Sequence, residues 1–401
     1  MKADNYIPPL TGIRAIAAFM VFFHHANQSD FAYPLFRILN EFHTGVTVFF
    51  VLSGFLIGLR YYDTCEISGT WFRKYLKNRI ARIYPMYFLI TISTFIVAYY
   101  LNDDSIYNGF PYSFVLIILN VFFLRGFFDD LKFTGLAQGW TLTVEECFYF
   151  LAPLFFVRIK KNKKALWQLP ILIISIGTLL VLIFSHVNFY GFYSNFTFMF
   201  LYTFTGRCIE FFIGISLALI VLKQNGNSKK IKFPLFTILG IFGMMIGIGL
   251  MAIQPLTEKI HFGLQQPWGI FANNVILPCG IASLFYGLIK EPTWLRNFLG
   301  SKLMVLLGKS SYIFYLIHIG FISTFVRNAV ANNLEKLSGW FDARNYDWLS
   351  ENIDSSVVKI LLAFVLLNLI SVALFKFIEE PVNHFIRRSS FLEKRPKLKK
   401  A

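Results

Sequence analysis

Apolar residues run through this chain in long blocks, neither alternating at strand spacing nor recurring on one helical face. Eleven blocks stand out, at residues 12–27, 44–60, 84–101, 111–126, 140–157, 169–187, 206–222, 233–253, 269–289, 308–327 and 357–378. Most approach the length of about 20 residues that a helix needs to cross hydrocarbon. A backbone in hydrocarbon must satisfy its own N–H and C=O groups, so such blocks form helices or a closed barrel, and unbroken apolar runs favour helices. The pattern predicts an all-α polytopic membrane protein.

The polar connections orient it. Connections 60–82, 158–168, 223–232, 290–302 and the tail 383–401 are basic and belong on the cytoplasmic face. Asp103 and Asp104, the uncharged aromatic stretch 188–205, and the segment 328–356 with five acids against two Lys/Arg belong on the other. Two basic connections, 60–82 and 158–168, bracket three apolar blocks, and an odd number of crossings cannot return the chain to one face. The shortest block, 111–126, is therefore read as re-entrant or surface-lying. That leaves about ten transmembrane helices with both termini cytoplasmic. Residues 1–385 form a single integral-membrane domain and residues 386–401 a basic cytoplasmic tail attracted to anionic lipid.

Composition narrows the class. Of 401 residues 56% are hydrophobic and 15% charged, against about 25% charged in soluble domains, which excludes a water-soluble or disordered chain. The net charge of +16 follows from topology, and no nucleic-acid module accompanies it. Cys65, Cys147, Cys208 and Cys279 lie far apart and read as buried free thiols, with no metal-ligand spacing. The N-terminus carries no cleavable signal pattern.

An ionisable side chain inside a span is expensive and so is a candidate for function. Arg14 and His25 share the first block, eleven residues apart. At about 100° and 1.5 Å per residue they lie on nearly one stripe, about 16 Å apart along the axis. Such a track could seat an anionic donor and activate a nucleophile; alternatively Arg14 snorkels and His25, beside His24, is an interfacial histidine. In GWTLTVEECFYF, Glu145 and Glu146 follow Trp140, and only one of two successive helix positions can face a given pocket. They could also form a helix-start pair outside the hydrocarbon. Arg207 and Glu210 are spaced i,i+3 and can pair as structural glue. His318 is either functional or a hydrogen-bonded helix contact. Arg79 and Arg82, one turn apart, offer donor forks suited to phosphate at a place where topology alone also demands arginine. Phe189, Tyr190, Phe192 and Tyr193 could stack on sugar rings or form an interfacial belt. Adjacent His24 and His25 diverge on a helix, so no metal site is expected.

These segments together resemble membrane acyltransferase family 3, the group that includes bacterial polysaccharide and lipopolysaccharide O-acetyltransferases. The resemblance covers nearly the whole chain. It rests on LTGIRAIAAFMVFFHH, GVTVFFVLSGFLIG, RIARIYP, GWTLTVEECFYF, GRCIEFFIG, LGKSSYIFYLIH and the late EEP at 379–381, in fixed order. It implies transfer of an acyl group, usually acetyl, from cytoplasmic acyl-CoA as co-substrate to a hydroxyl of a cell-surface glycan or lipid-linked saccharide, in the cell (inner) membrane.

Arg14 and His25 match the family's Arg-x10-His motif, associated with donor handling and catalysis, and Arg79 and Arg82 match its Arg-x-x-Arg pair. The resemblance thus implies His25 and Arg14 as catalytic; Glu145 or Glu146 joins them on its costly placement alone, to orient the imidazole or bind acceptor hydroxyls. Arg79, Arg82 and Arg14 would hold the donor, and Trp140, Arg207, Glu210 and His318, singled out by their placement in the spans, the acceptor. Two departures matter. The family commonly has an acidic residue where this chain has Thr47, and some relatives append a hydrolase-like domain where this chain has only a basic tail, so it is expected to work alone or with a separate partner. Oligomeric state is not legible. A transporter using an intramembrane Arg/His/Glu path is the alternative from another class, and a sensor or scaffold without turnover is a third.

Overall fold

A computed structural model describes residues 6–26, 32–101, 112–224, 233–258, 260–389 and 392. Asp103, Asp104, the basic connection after Gln224 and most of the tail assigned to 386–401 lie outside the described residues. Among the described residues the chain is helical, with two isolated bridges and no extended strand.

In chain order the helices are α1 (Pro8–His25), α2 (Tyr33–Asn40), α3 (Gly45–Tyr61), α4 (Gly69–Tyr100), α5 (Tyr112–Val121), α6 (Trp140–Lys161), α7 (Ala165–Phe184), α8 (Phe196–Tyr202), α9 (Phe204–Lys223) and α10 (Leu235–Ala252). They continue with α11 (Pro267–Phe271), α12 (Leu277–Lys290), α13 (Trp294–Leu299), α14 (Lys302–Ile317), α15 (Phe321–Asp342), α16 (Asp347–Ile353), α17 (Ser356–Leu374) and α18 (Glu380–Arg388). Two π-helical turns, Ala272–Ile276 and Phe375–Glu379, join α11 to α12 and α17 to α18 into continuous rods. Among the described residues seven helical rods are long and apolar enough to cross a membrane, or eight if α14 and α15 count as one span. That pair corresponds to the block at 308–327, which is not one straight helix: it bends by 93° after His318, where Gly320 takes φ +91°. Hydropathy is blind to this break because apolar residues continue through it.

Helix α5 has ten residues, about 15 Å, half the hydrocarbon thickness. The connections on either side of the α4–α6 excursion touch: Lys160 Nζ donates to the carbonyls of Asp63 and Cys65, both at 3.1 Å, and Lys163 Nζ to the Tyr62 hydroxyl. Both basic loops thus lie on one face. The chain leaves through α4 and returns through α6, with α5 too short to cross.

Helices pack through small residues, as they do where hydrocarbon offers no hydrophobic drive for association. Helices α3 and α9 are in backbone contact: a Cβ added to Gly54 would lie 2.2 Å from the Phe211 carbonyl oxygen, and one on Gly214 2.2 Å from that of Val51. Helix α14 meets α1 the same way, Gly308 against the Thr11 carbonyl. The four cysteines are free thiols, as expected, but Cys279 is exposed and Cys147 only half-buried; in a bilayer protein an outward-facing thiol meets lipid rather than water.

Candidate active site

Three cavities follow one another through the bundle. On the face that carries the basic loops, a vestibule of about 340 Å³ is lined by Arg14, Arg60, Arg79, Arg82, Lys309 and Arg387, opposed by Glu379 and Glu380. It shares Arg14, Arg79, Arg82, Leu56 and Ile57 with a narrower channel of about 120 Å³, further lined by Ser53, Glu145, Tyr149 and Tyr312. Beyond lies an outer cavity of about 370 Å³, lined by His24, His25, His43, Gln138, Trp140, Tyr202, Arg207 and Phe262.

In the vestibule, helix α4 brings Arg79 and Arg82 to one side because residues three apart share a face. The second π turn sets Glu379 against Arg82, an ion pair whose carboxylate is 3% exposed. A π-bulge shifts the helix phase by one residue, and such bulges concentrate at functional sites. The guanidinium of Arg79 stacks between the rings of Tyr61 and Tyr149, at 5.5 and 5.6 Å from their centroids. The Nε atoms of Arg14 and Arg79 are buried without a hydrogen-bond partner. Buried N–H donors of this kind call for an acceptor, and six cations around two carboxylates fit a polyanion such as the phosphates of a nucleotide-bearing donor.

In the channel, the Ser53 hydroxyl donates to the Glu145 carboxylate and lies 3.3 Å from the Tyr149 hydroxyl. Glu146 is half-buried on the adjacent helix position and is not among the residues lining the channel. The two glutamates therefore part company.

At the outer end, His25 is exposed to the cavity, with the rings of His24 at 4.6 Å and His318 at 5.3 Å. His318 is 1% exposed, and its Nδ1 lies 2.7 Å from the Tyr315 carbonyl. A carbonyl only accepts, so Nδ1 carries the proton and the neutral ring presents Nε2 as an acceptor. That Nε2 is buried without a partner. Trp140 packs edge-on to Tyr202, centroids 4.8 Å apart, making an aromatic wall. Phe189, Tyr190, Phe192 and Tyr193 are not among the residues lining this cavity.

Arg207 and Glu210 do pair: Nε donates at 2.9 Å and Nη2 lies 2.8 Å from the second carboxylate oxygen. Nη2 also donates to Thr47 Oγ1 at 3.0 Å, and Thr47 in turn donates to Asn273, in the first π turn, at 3.1 Å. Thr47 is thus a neutral hydroxyl that relays from Arg207 to an amide.

The sequence reading missed Glu41 and His43. Glu41 is 1% exposed; its Oε1 accepts the Gly263 N–H at 2.8 Å and its Oε2 lies 3.8 Å from His43 Nδ1. Arg37 Nε donates to the Ala252 carbonyl at 2.8 Å, and Asn40 Nδ2 to that of His261 at 3.1 Å. Helix α2 and the turn after it therefore tie down the segment that covers the outer cavity with Phe262 and Leu264. The one sequence signal was a buried-looking acid two residues before a histidine in EFHTG, which falls between two apolar blocks. Arg60 and Arg387 were likewise visible only as connection charges, and Lys309, inside the block 308–327, was not singled out. Among the described residues no group of His, Cys, Asp and Glu is arranged to hold a metal.

Residues 8–376 match the sequence profile of the acyltransferase domain, family 3. The chain belongs to this acyltransferase family. It is 29% identical over 337 residues to O-acetyltransferase OatA of Staphylococcus aureus, covering 79% of this chain and 51% of that protein. It is 25% identical over 341 residues to a protein of Staphylococcus aureus strain COL provisionally named an O-acetyltransferase, covering 80% of this chain and 52% of the relative. The chain spans about half the length of the curated relatives it matches. No solved structure matches it significantly.

Proposed function

We propose that this multi-pass membrane protein is an O-acyltransferase that moves an acyl group, acetyl foremost, from cytoplasmic acyl-CoA to a hydroxyl of a cell-surface glycan or lipid-linked saccharide. The observation that carries the reading, beside family membership, is the ordered path from a cationic vestibule through a carboxylate-lined channel to an exposed histidine.

In this reading the domain occupies about residues 1–385 of the cell membrane, and the basic face with the tail 386–401 is cytoplasmic. Ten crossings follow if α1 and α6 are added to the eight apolar rods; Arg14, His24 and His25 in α1 and Glu145 and Glu146 in α6 make these two the polar spans, and they carry the chemistry. Arg79 and Arg82 hold the donor phosphates, with Arg14 at the junction orienting what passes inward. His25 acts as general base on the acceptor hydroxyl or as transient acyl carrier. As base, the imidazole takes the hydroxyl proton while the oxygen attacks the thioester, the C–S bond breaks as the ester C–O bond forms, and the proton passes to the leaving thiolate. As carrier, the imidazole attacks first, a C–N bond forming as C–S breaks and the thiolate taking a proton from water, and that C–N bond then breaks as the ester C–O bond forms and the hydroxyl proton is lost to water. His318, its tautomer fixed by the Tyr315 carbonyl, positions the His25 ring. Glu145 supports the donor end of the channel, Trp140 offers a face to a sugar ring, and Arg207 with Glu210 holds the wall behind it.

The test is transfer of label from acetyl-CoA to glycan in membranes carrying this protein or an equally expressed His25→Ala variant. Transfer present in the parent and lost in the variant is expected. Equal transfer by both removes His25 from the mechanism, and solute uptake without any acyl transfer would support the transporter alternative.

A further inference from the structure

The outer cavity contains an imidazole to which the scheme above gives no task. His43, on the short turn Phe42–Thr44 between α2 and α3, lines that cavity together with His24 and His25. Its Nδ1 lies 3.4 Å from the Asn40 carbonyl and 3.8 Å from Glu41 Oε2. A carbonyl only accepts, so Nδ1 carries the proton and Nε2 keeps the lone pair. That Nε2 is buried without a hydrogen-bond partner, and so is Glu41 Oε2. Orphaned buried polar atoms call for a ligand that supplies what they lack. What an imidazole lone pair lacks is a donor, such as a hydroxyl.

Glu41 is fixed in place: it is 1% exposed, and its Oε1 accepts the Gly263 N–H at 2.8 Å. Its other oxygen is left to face His43. A carboxylate on the Nδ1 side of a histidine whose Nε2 is free orients the ring and stabilises the imidazolium once Nε2 has taken a proton. His25 lacks such support. Among the described residues, those acting on it most strongly through space are His318, His24, Arg327 and His43, with no carboxylate between them. Its ring neighbour His318 presents an acceptor, Nε2, to which a His25 N–H can donate, and this leaves the second His25 nitrogen as a nucleophile.

We propose that His25 is the acyl carrier and that His43, oriented by Glu41, is the general base that takes the proton of the acceptor hydroxyl. The assignment rests on the reading that an acyl group reaches His25. The acceptor oxygen attacks the acyl carbon on His25; the ester C–O bond forms, the C–N bond breaks with its electron pair returning to the His25 ring, and the hydroxyl proton moves to His43 Nε2 and then to water. His24 separates the two rings, 4.6 Å from His25 and 5.4 Å from His43. They need not touch: a base works within about 3 Å of the hydroxyl, and the hydroxyl attacks from about 3 Å, so one hydroxyl in the shared cavity joins them. Glu41 is a positioning residue, acting through His43.

The experiment compares two rates of the full chain. One is exchange of radiolabelled CoA into acetyl-CoA by protein in phosphatidylethanolamine–phosphatidylglycerol liposomes without glycan, which reports acylation and its reversal; the other is transfer of label from acetyl-CoA to glycan in membranes. The parent should do both and His25→Ala neither. His43→Gln should exchange at the parent rate while its kcat for transfer falls about a hundredfold, as for a lost general base. Its kcat/KM for acetyl-CoA should stay within twofold of the parent, because in a carrier mechanism that ratio reports the acylation step alone. Glu41→Gln keeps the shape and removes the charge, so it should slow transfer at least about tenfold with exchange intact, and it decides alone if His43→Gln does not fold. Transfer within twofold of the parent in either variant overturns the assignment, as does loss of exchange together with transfer in a folded variant, or a parent protein that transfers without exchanging. Absence of acyl transfer by the parent fails the underlying reading itself.

Discussion

Replacing Glu210 by glutamine isolates the buried ion pair behind the outer cavity. Arg207 is 2% exposed and Glu210 is fully buried, and the carboxylate takes two contacts from the guanidinium, at 2.9 and 2.8 Å. The remaining partners of Arg207 are neutral: Thr47 Oγ1 at 3.0 Å and the Leu201 carbonyl at 3.3 Å. Glu210→Gln therefore leaves an uncompensated cation in the bundle interior, a change that costs about 3–5 kcal/mol in buried pairs. Each 1.4 kcal/mol is tenfold in an equilibrium, so a loss near 3 kcal/mol should deplete the folded fraction under partly denaturing conditions by about a hundredfold. Size-exclusion profiles of detergent-solubilised protein after graded heating provide the assay. Thr47 already sits within hydrogen-bond distance of the guanidinium, so the double variant Glu210→Gln/Thr47→Asp returns a carboxylate from α3 and should recover much of the loss. A Glu210→Gln protein as heat-resistant as the parent, or a double variant no better than the single one, would refute the reasoning that this pair exists to neutralise Arg207.

Arg79→Gln removes a charge-assisted donor from the vestibule, worth about 1.5–3 kcal/mol; the KM for acyl-CoA should rise roughly ten- to a hundredfold with a smaller change in kcat, read from initial rates in membranes. Glu145→Gln should slow transfer while Glu146→Gln leaves it close to the parent rate, since only Glu145 lines the channel; two variants as active as the parent would remove both from the site, and two equally slowed would refute the distinction between them. Gly54→Val should abolish recovery of folded protein, because its Cβ alone would already stand 2.2 Å from the Phe211 carbonyl, and backbone cannot move aside as a side chain can.

The apolar blocks predicted helix positions well because burial in lipid imposes one rule on every residue of a span. What hydropathy could not register was geometry within apolar sequence. The 93° bend at Gly320 and the two π turns change direction or phase without changing polarity. The π turns matter most for the site, since one turns Glu379 onto Arg82 and the other places Asn273 against Thr47.

Among site residues, Arg14, Arg79, Arg82 and Glu145 were legible because charge inside or beside a span is costly enough to mark itself, and the structure gathers these four around one channel. The sequence could not show that Arg14 and His25, although on one stripe of α1, open into different cavities. Nor could it pair Glu41 with His43: residues two apart point away from each other on a helix, and only the short 3-10 turn at Phe42–Thr44 sets them side by side.

The glycine contacts divide the walls of the path into two kinds. Helices α1, α3, α9 and α14 are locked to one another through Gly45, Gly54, Gly214 and Gly308, and a shift of one residue along any of these seams would drive a side chain into a neighbour's backbone. This block carries Arg14, His25, Val46, Arg207 and Tyr315. Opposite it stand α4, whose single glycine has nothing within 4 Å, and α6, which contains no glycine. No glycine seam joins them to the block, which reaches α4 through the Tyr312 hydroxyl donating to the Ile83 carbonyl at 2.8 Å, and they carry Arg79, Arg82, Trp140 and Glu145. Packing without a glycine seam can readjust through side-chain rotamers whereas backbone-to-backbone contact cannot, so Arg79, Arg82 and Trp140 sit on the adjustable wall and Arg14 and His25 on the fixed one.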